Sequence, residues 1–415
     1  MSKHMSLIQV LQQLNIPDAL ELMQPHWDES MNTLPTPYPQ FLNAELAVAS
    51  ANYCGLPATA AETLVKTCQQ IQSNKALLQL AWHCHQLLIE HMDYKQMKEW
   101  PELTAALGEN ASVFYLLVAL AIVPRIKELY GRKMGVPEDI YRDSCRQIAC
   151  FAGNYANMNN GALGITLKQL YWLRNYLAAR LFRVGRFEYM IRPFFGGAQV
   201  YRSKKTNTTI ALAPDGTRYN ADGYVADDWE ARIQQTDDMV IGYPISPYGM
   251  AIRKQVQLPL SEWECVLKKD DPILELHIPE GGSMHLDACL DSMHRGVAFF
   301  RQFFPNEPFQ AIACLSWILN NQLQEIKLSS DNLARFQRAL YLFPVKSNGK
   351  DGLWFIYLQD PIDLATVPRN TSLQRAVADF IQAGNTWRGG GMFFLTDDLD
   401  HLGEQHYRNN WPVEV

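Results

Sequence analysis

A glutamate and a histidine lie two positions apart in the short stretch 273–278 (ILELHI), and both side chains can accept a proton. Side chains of a β-strand alternate between its two faces, so Glu275 and His277 are expected to lie on the same face. On the wall of a cleft, either residue could remove a proton from an attacking amine, directly or through a water molecule. A structural salt bridge or a solvated sheet face is the competing interpretation of the same pair.

A glycine-containing turn follows this stretch and precedes a long helical pattern. Its two glycines remove the side chains that would block a close ligand, and its serine is predicted to cap the helix. Free N–H groups and the positive dipole end at the start of a helix attract anions, which suits a pyrophosphate. An ordinary strand-to-helix connection has a similar composition, and the turn matches neither a P-loop nor a dinucleotide fingerprint. The turn consists of Pro279, Glu280, Gly281, Gly282 and Ser283.

Two other groups of reactive residues are weaker candidates for chemistry. Ser316 follows the next predicted strand, but no GxSxG elbow surrounds it, so a nucleophilic serine is not expected. The densest cluster of potential metal ligands has neither the spacing nor the acidic partner of a zinc-protease helix. That cluster comprises His83, Cys84, His85 and His91. The sequence therefore predicts no metal site.

Helical periodicity extends over residues 5–182, with prolines between the helices. After residue 182 the pattern changes to short stretches rich in β-branched and aromatic residues, which are typical of strands. From residue 272 the predicted order is β-α-β-α-β-β, with strands at 273–278, 309–315, 339–343 and 353–358, followed by a helix and a strand at 392–395. The sequence thus predicts an α+β fold. It combines an all-helical domain over residues 1–182 with a mixed α/β domain over residues 183–415.

The composition is that of a folded protein of two domains, with 415 residues, 47% hydrophobic and 19% charged. A net charge of -6 argues against nucleic-acid binding, although arginines are concentrated between residues 174 and 192. No stretch resembles a signal peptide or approaches the roughly 18 uninterrupted apolar residues of a membrane span. The longest apolar run, residues 111–124, predicts a buried core helix. We therefore expect a cytoplasmic protein with eight reduced cysteines and no membrane partner.

Several separated stretches, in one order, resemble a bacterial acyltransferase family. Its members have an N-acyltransferase N-terminal domain and a C-terminal domain like those of the GNAT (N-acetyltransferase) superfamily. In the front half the resembling stretches are ELYGRKMGVPEDIYRDSCRQI and LYWLRNYLAARLFRVGRFEYMIRPF. In the back half they are ILELHIPEGG, FFRQFFPNEPFQAIACLSWIL, LARFQRALYLFPV and TSLQRAVADFIQAGNTWRGGGMFFL. The resemblance covers most of the chain.

By this resemblance, residues 279–283 take the place of the superfamily's turn for the pyrophosphate of acyl-CoA, and Asn332 that of its asparagine near the cofactor arm. The resemblance implies transfer of an acyl group from acyl-CoA or acetyl-CoA to a small-molecule or peptide amine, by direct attack and without a metal. Glu275 or His277 would act as the base. Backbone N–H groups near a splayed strand would polarise the thioester oxygen.

An alternative is a catalytically silent GNAT-like module that binds a ligand or a protein. The superfamily's turn usually reads Gln/Arg-x-x-Gly-x-Gly/Ala, and the sequence contains no intact copy of it. This departure favours the binding module, whereas the order of the predicted elements favours the enzyme.

Overall fold

The computed structural model describes residues 4–92, 94–326 and 332–413 of the chain. The chain divides into two compact units. The front unit consists of Met1–Arg183 together with Pro279–Gly281, and the back unit consists of Val184–Ile278 and Gly282–Val415. The sequence predicts two continuous domains with a boundary between residues 182 and 183. The structure differs in Pro279–Gly281, which groups with the front unit although the chain on either side of it belongs to the back unit.

The front unit is helical, and asparagine side chains begin two of its longer helices. Asn43 accepts a hydrogen bond from the N–H of Leu46, and Asn74 accepts from the N–H groups of Ala76 and Leu77. The α-helices are α1 (Leu7–Gln13), α2 (Leu20–Met23), α3 (Trp27–Asn32), α4 (Ala44–Cys54), α5 (Ala60–Ser73), α6 (Lys75–Gln86), α7 (Tyr94–Met97), α8 (Thr104–Leu107), α9 (Ala111–Leu120), α10 (Ile122–Ile126), α11 (Glu138–Cys145), α12 (Gln147–Met158), α13 (Leu167–Leu170) and α14 (Arg174–Leu177).

One long apolar helical stretch, Thr104–Lys133, contains α8, α9 and α10 and ends in a π-helical segment, Lys127–Lys133. By length and composition alone it could cross a membrane, but 72% of its most apolar window is buried inside the protein. Every residue of α9 from Val113 to Leu120 is buried. Packing within the front unit therefore accounts for the apolar run that the sequence predicts to be a core helix.

The back unit begins within the first of the strands. These are β1 (Phe182–Val184), β2 (Phe187–Pro193), β3 (Gln199–Ser203), β4 (Thr209–Leu212), β5 (Arg218–Tyr219), β6 (Trp229–Glu230), β7 (Gln234–Gln235), β8 (Met239–Gly242), β9 (Pro244–Ser246), β10 (Met250–Ala251), β11 (Val256–Pro259), β12 (Trp263–Leu267), β13 (Pro272–His277), β14 (Ala311–Ser316), β15 (Tyr341–Pro344) and β16 (Gly390–Leu395). Its helices are α15 (Leu286–Phe303), α16 (Leu323–Ile326), α17 (Asn332–Arg338), α18 (Leu353–Tyr357), α19 (Ser372–Gln382) and α20 (His406–Asn409).

A six-stranded mixed sheet in the order β1-β2-β13-β14-β16-β15 is the main sheet of the back unit. β13 is antiparallel to β2 and parallel to β14, while β16 lies antiparallel between β14 and β15. The chain between β2 and β13 forms a second, five-stranded antiparallel sheet in the order β10-β9-β4-β3-β12, together with two smaller sheets. The predicted α+β fold class, helical in front and mixed behind, is confirmed.

The long helix α15 is fixed to the strand pair β1–β2 by Ser292, which is fully buried. The Ser292 hydroxyl donates to the carbonyl of Val184 at 2.5 Å and accepts from the N–H of Phe187 at 3.0 Å. It also lies 3.0 Å from the Tyr189 hydroxyl. Gly296 allows the helix to approach the Tyr189 ring, because a β-carbon there would lie 2.8 Å from it. These contacts determine where α15 lies relative to the strands that precede it.

The prediction of a strand over residues 353–358 is wrong, because Leu353–Tyr357 forms the single turn of helix α18. Left-handed residues bound this turn, Gly352 with a φ of 68° and Leu358 with a φ of 48°. Its buried residues recur at helical spacing and pack in one cluster with α19: Leu353, Ile356 and Tyr357. The neighbouring position in the sheet is occupied instead by β16.

The prediction that Ser283 caps α15 is also wrong. The helix begins at Leu286, and His285 occupies the N-cap position without a side-chain hydrogen bond to the helix. Two left-handed glycines, Gly281 and Gly282, extend the turn, so the helix starts later than the spacing of the serine suggests. The N–H groups of the first turn of α15 consequently receive no side-chain cap.

We expect Ser292→Ala to lower the free energy of unfolding by about 1–3 kcal/mol, because the buried N–H of Phe187 and carbonyl of Val184 lose their partner. Ser283→Ala is the matched control. Since Ser283 is exposed and caps no helix, its replacement should change stability by no more than about 0.5 kcal/mol. Chemical denaturation measures both values, and equal stability of the two variants would contradict the anchoring role of Ser292.

Candidate active site

Strand β13 is hydrogen-bonded over unequal lengths on its two sides. It pairs with β2 along its whole length, from Pro272 to His277, but its parallel pairing with β14 covers only Ile273 to Glu275. The partner of Glu275 is Ala313, and beyond that pair β14 continues to Ser316 in register with β16. The two parallel strands therefore separate at their carboxyl ends. Their backbone groups beyond Glu275 and Ala313 no longer pair with each other across this split.

Glu275 and His277 lie together at the split, as expected from their spacing. The Nε2 atom of His277 lies 3.5 Å from Oε2 of Glu275, and the two side chains are 24% and 19% exposed. Arg192 on β2 approaches the same carboxylate, with its Nε 3.9 Å from Oε2. Both candidate bases are thus partly shielded from solvent but still reachable.

The first residues of the glycine turn belong to the front unit. Pro279 is buried, and the backbone carbonyl of Glu280 accepts a hydrogen bond from the Cys150 thiol at 3.3 Å. Loss of solvent around its carboxyl group raises the pKa of Glu280, and a hydrogen bond from the Asn154 side chain opposes this shift. Helix α12, which carries Cys150 and Asn154, therefore holds the beginning of the turn.

The remaining residues of the turn are exposed. Gly281 and Gly282 have φ values of +81° and +88°, a conformation that favours glycine. The Nε atom of Arg186 donates to the carbonyl of Ser283 at 3.2 Å. A β-carbon on Gly282 would lie 3.8 Å from Arg186. A guanidinium group therefore stands beside the turn, which makes the turn a better place for an anion than the sequence alone indicates.

Asn332 lies beside the start of α15. Its Nδ2 atom is 3.1 Å from Nδ1 of His285, the N-cap residue of that helix. The structure thus brings Asn332, predicted to lie near the cofactor arm, next to the helix that follows the glycine turn. Sequence reasoning missed two neighbours of these residues, His285 beside Asn332 and Arg186 beside Ser283. Arg186 lies in the tight turn between β1 and β2, far from Ser283 in sequence, so no local spacing could reveal the contact.

The dense cluster of potential ligands in the front unit does not converge on one point. His83 is fully buried with its Nδ1 2.9 Å from the Ser30 hydroxyl, and burial lowers its pKa to about 4. Cys84 is also buried, which raises the pKa of its thiol. His85 stacks on Trp82 and on Phe41. These side chains serve packing and local hydrogen bonding.

The domain content of the chain follows from its matches to known families. Residues 47–178 match the N-acyltransferase N-terminal domain, and residues 181–394 match the GNAT-like C-terminal domain. The second match alone covers half of the 415 residues. The chain belongs to this two-domain N-acyltransferase family. The resemblance drawn from the sequence is confirmed at the level of the family.

Solved acyltransferase structures resemble the chain over nearly its whole length. One, in complex with decanoyl-CoA and teicoplanin, has a TM-score of 0.63 at 20% identity, covering 94% of this chain and 99% of that chain. A mutant acyltransferase in complex with octanoyl-CoA has a TM-score of 0.62 at 19% identity, covering 93% and 98%. An acyltransferase in complex with CoA and 10C-teicoplanin has a TM-score of 0.63 at 20% identity, covering 94% and 99%. At this level of identity the likeness shows the fold. Among curated proteins, none matches the chain significantly in sequence.

Proposed function

We propose that the protein transfers an acyl group from acyl-CoA to an amine, by direct attack within a ternary complex. The observation that carries this proposal is the separation of β13 from β14 immediately after the Glu275–Ala313 pair, with Glu275 and His277 beside it. Two parallel strands that part in this way leave backbone donors and acceptors for an extended ligand. Membership of the N-acyltransferase family supports the reaction class.

The glycine turn is the proposed place of the CoA pyrophosphate. Gly281, Gly282 and Ser283 are exposed, the amides that begin α15 have no side-chain cap, and Arg186 supplies a positive charge beside the turn. Asn332 and His285, which contact each other at the start of α15, would lie along the path of the cofactor arm. The pantetheine arm would then run toward the strand split.

The proposed chemistry needs one proton acceptor and one hydrogen-bond donor to the oxyanion. The neutral amine attacks the thioester carbonyl, forming the C–N bond, and the amine proton passes to the Glu275–His277 pair. Collapse of the tetrahedral intermediate breaks the C–S bond, and CoA leaves as the thiolate, which takes up a proton. A backbone N–H at the split would stabilise the oxyanion, since fixed donors aimed at developing charge contribute most to such steps.

Donor and acceptor classes are suggested by the similar structures. Acyltransferases of the same fold were solved with decanoyl-CoA, with octanoyl-CoA and with teicoplanin, so medium-chain acyl-CoAs and amines of peptide or glycopeptide character are the first compounds to test. A cytoplasmic location is proposed as well, because acyl-CoA is an intracellular donor and the eight cysteines are free.

We expect decanoyl-CoA, at about 100 times its dissociation constant, to raise the free energy of unfolding by about 2.7 kcal/mol. Gly282→Asn should weaken this binding by about tenfold. Asparagine tolerates the left-handed backbone, but its side chain would occupy the place where a phosphate accepts hydrogen bonds from backbone N–H groups. Gly384→Asn is the matched control, since Gly384 has a φ of +87° and a β-carbon there would meet nothing within 4 Å. Isothermal titration calorimetry of the three proteins measures the dissociation constants of decanoyl-CoA.

Equal affinity of Gly282→Asn and the parent protein would contradict the placement of the pyrophosphate at this turn. Absence of binding across CoA, acetyl-CoA and the medium-chain acyl-CoAs would contradict the proposed function as a whole. Binding of acyl-CoA without turnover on any amine would favour the catalytically silent binding module instead.

We expect Glu275→Gln and His277→Gln to reduce kcat by roughly 10²–10⁴-fold, the usual contribution of a general base, while acyl-CoA affinity stays unchanged. Glu264→Gln on β12 is the control, because Glu264 is an exposed glutamate on a strand of the second, five-stranded sheet. Release of the CoA thiol, followed with a thiol-reactive dye, measures the rates. A normal rate in both site variants would exclude this pair as the base.

A further inference from the structure

Three potential metal ligands meet on the surface of the front unit. The Nδ1 atom of His26 lies 2.9 Å from Oε2 of Glu29, and the Nε2 atom of His91 lies 3.6 Å from the same oxygen. All three donor atoms lie within 4.8 Å of one another. Over residues 4–92, 94–326 and 332–413, no other group of three histidine, cysteine, aspartate or glutamate donors is this close.

The donor separations suit a tetrahedral ion. Ligands held about 2.1 Å from a zinc ion are separated by about 3.4 Å, the edge of the corresponding tetrahedron. The 2.9 Å and 3.6 Å separations at Glu29 lie on either side of that value. Two imidazoles and one carboxylate form a donor set that divalent transition metals bind with an open position for water.

The two imidazole rings stack face to face, with their centroids 3.7 Å apart and an angle of 16° between them. To bind one ion, the two rings would turn out of this stack, because the nitrogen lone pair of an imidazole lies in the plane of its ring. The side chains of His26, Glu29 and His91 are 40%, 67% and 25% exposed, so an ion could reach them from solvent.

The backbone on both sides of this cluster has uncommon conformations. His26, which precedes α3, is left-handed with a φ of 61°. His91 is the last residue of the π-helical segment Leu87–His91, and the next residue, Met92, is left-handed with a φ of 48°. Non-glycine residues adopt this region rarely, and π-helical turns often occur at functional sites. Both histidines that contact the Glu29 carboxylate therefore lie at uncommon backbone positions.

We propose that His26, Glu29 and His91 bind one divalent transition-metal ion, of which Zn²⁺ is the best match. The ion would tie the start of α3 to the end of the helical segment that continues α6. It takes no part in the acyl transfer proposed above, so either proposal can fail without the other. The sequence points away from this site because its ligands come from distant positions, and the neighbours of His91 in the sequence face elsewhere.

The test uses the full-length protein without a histidine tag and titrates it with ZnCl₂ in a calorimeter under reducing conditions. The parent protein should bind one equivalent. His26→Asn, which tolerates the left-handed backbone, and Glu29→Gln should each weaken binding by roughly tenfold or more, since even the loss of an outer-shell partner costs about 10–100-fold. Both residues are exposed, so unchanged circular dichroism without metal is expected for both variants.

A matched control exists in the back unit. His401 lies 3.0 Å from Glu404 at the same three-residue spacing and stacks on His406 at 4.6 Å. His401→Asn should leave Zn²⁺ affinity unchanged. The proposal is overturned if the parent shows no saturable binding, if His26→Asn and Glu29→Gln bind as well as the parent, or if Co²⁺ gives the charge-transfer absorption of thiolate ligands instead of a histidine–carboxylate spectrum.

Discussion

Strand β13 imposes the constraint on which the candidate active site depends. A strand can bond to a neighbour only while the two backbones stay about 4.8 Å apart, and β13 keeps that distance from β2 for longer than from β14. The pairing with β2 keeps β13 extended through His277, beyond the point where its pairing with β14 ends. The alternation of its side chains therefore persists across the split, which keeps Glu275 and His277 on one face. An irregular end to β13 would have lost both the gap and the pair.

Features with a local cause could be predicted from the sequence. The helical front, the mixed back and the strands β13, β14 and β16 follow from periodicity within each segment, and their bounds agree with the structure to within a few residues. The proximity of Glu275 and His277 is a consequence of strand geometry alone. The segment of α18 shows the limit of this reasoning. Its apolar residues fit a strand or a helix equally well over five positions, and only packing against α19 decides between them.

Contacts between residues far apart in the sequence could not be predicted from it. Arg186 contacts Ser283 because Ser292 fixes α15 to the β1–β2 turn. The composition of neither segment indicates that the two residues are close. The later start of α15 has a similar origin, since the left-handed glycines that delay it are recognisable only from backbone angles. Asn332 was placed by its resemblance to a family, and the structure adds the partner, His285, that such a resemblance cannot supply.

The order of strands in the main sheet has a consequence for synthesis on the ribosome. Among the described residues β16 is the last strand in sequence, yet it lies between β14 and β15, and each of them depends on it for a neighbour. While the nascent chain lacks Gly390–Leu395, one edge of β14 is open, and its residues Ala311 to Cys314 are among the most buried in the finished protein. The helices of residues 4–183 can meanwhile pack through contacts within their own segment. A ribosome that has not yet released residues 390–395 therefore carries a compact helical body followed by an apolar sheet edge, the form of intermediate that chaperones bind to prevent edge-to-edge aggregation.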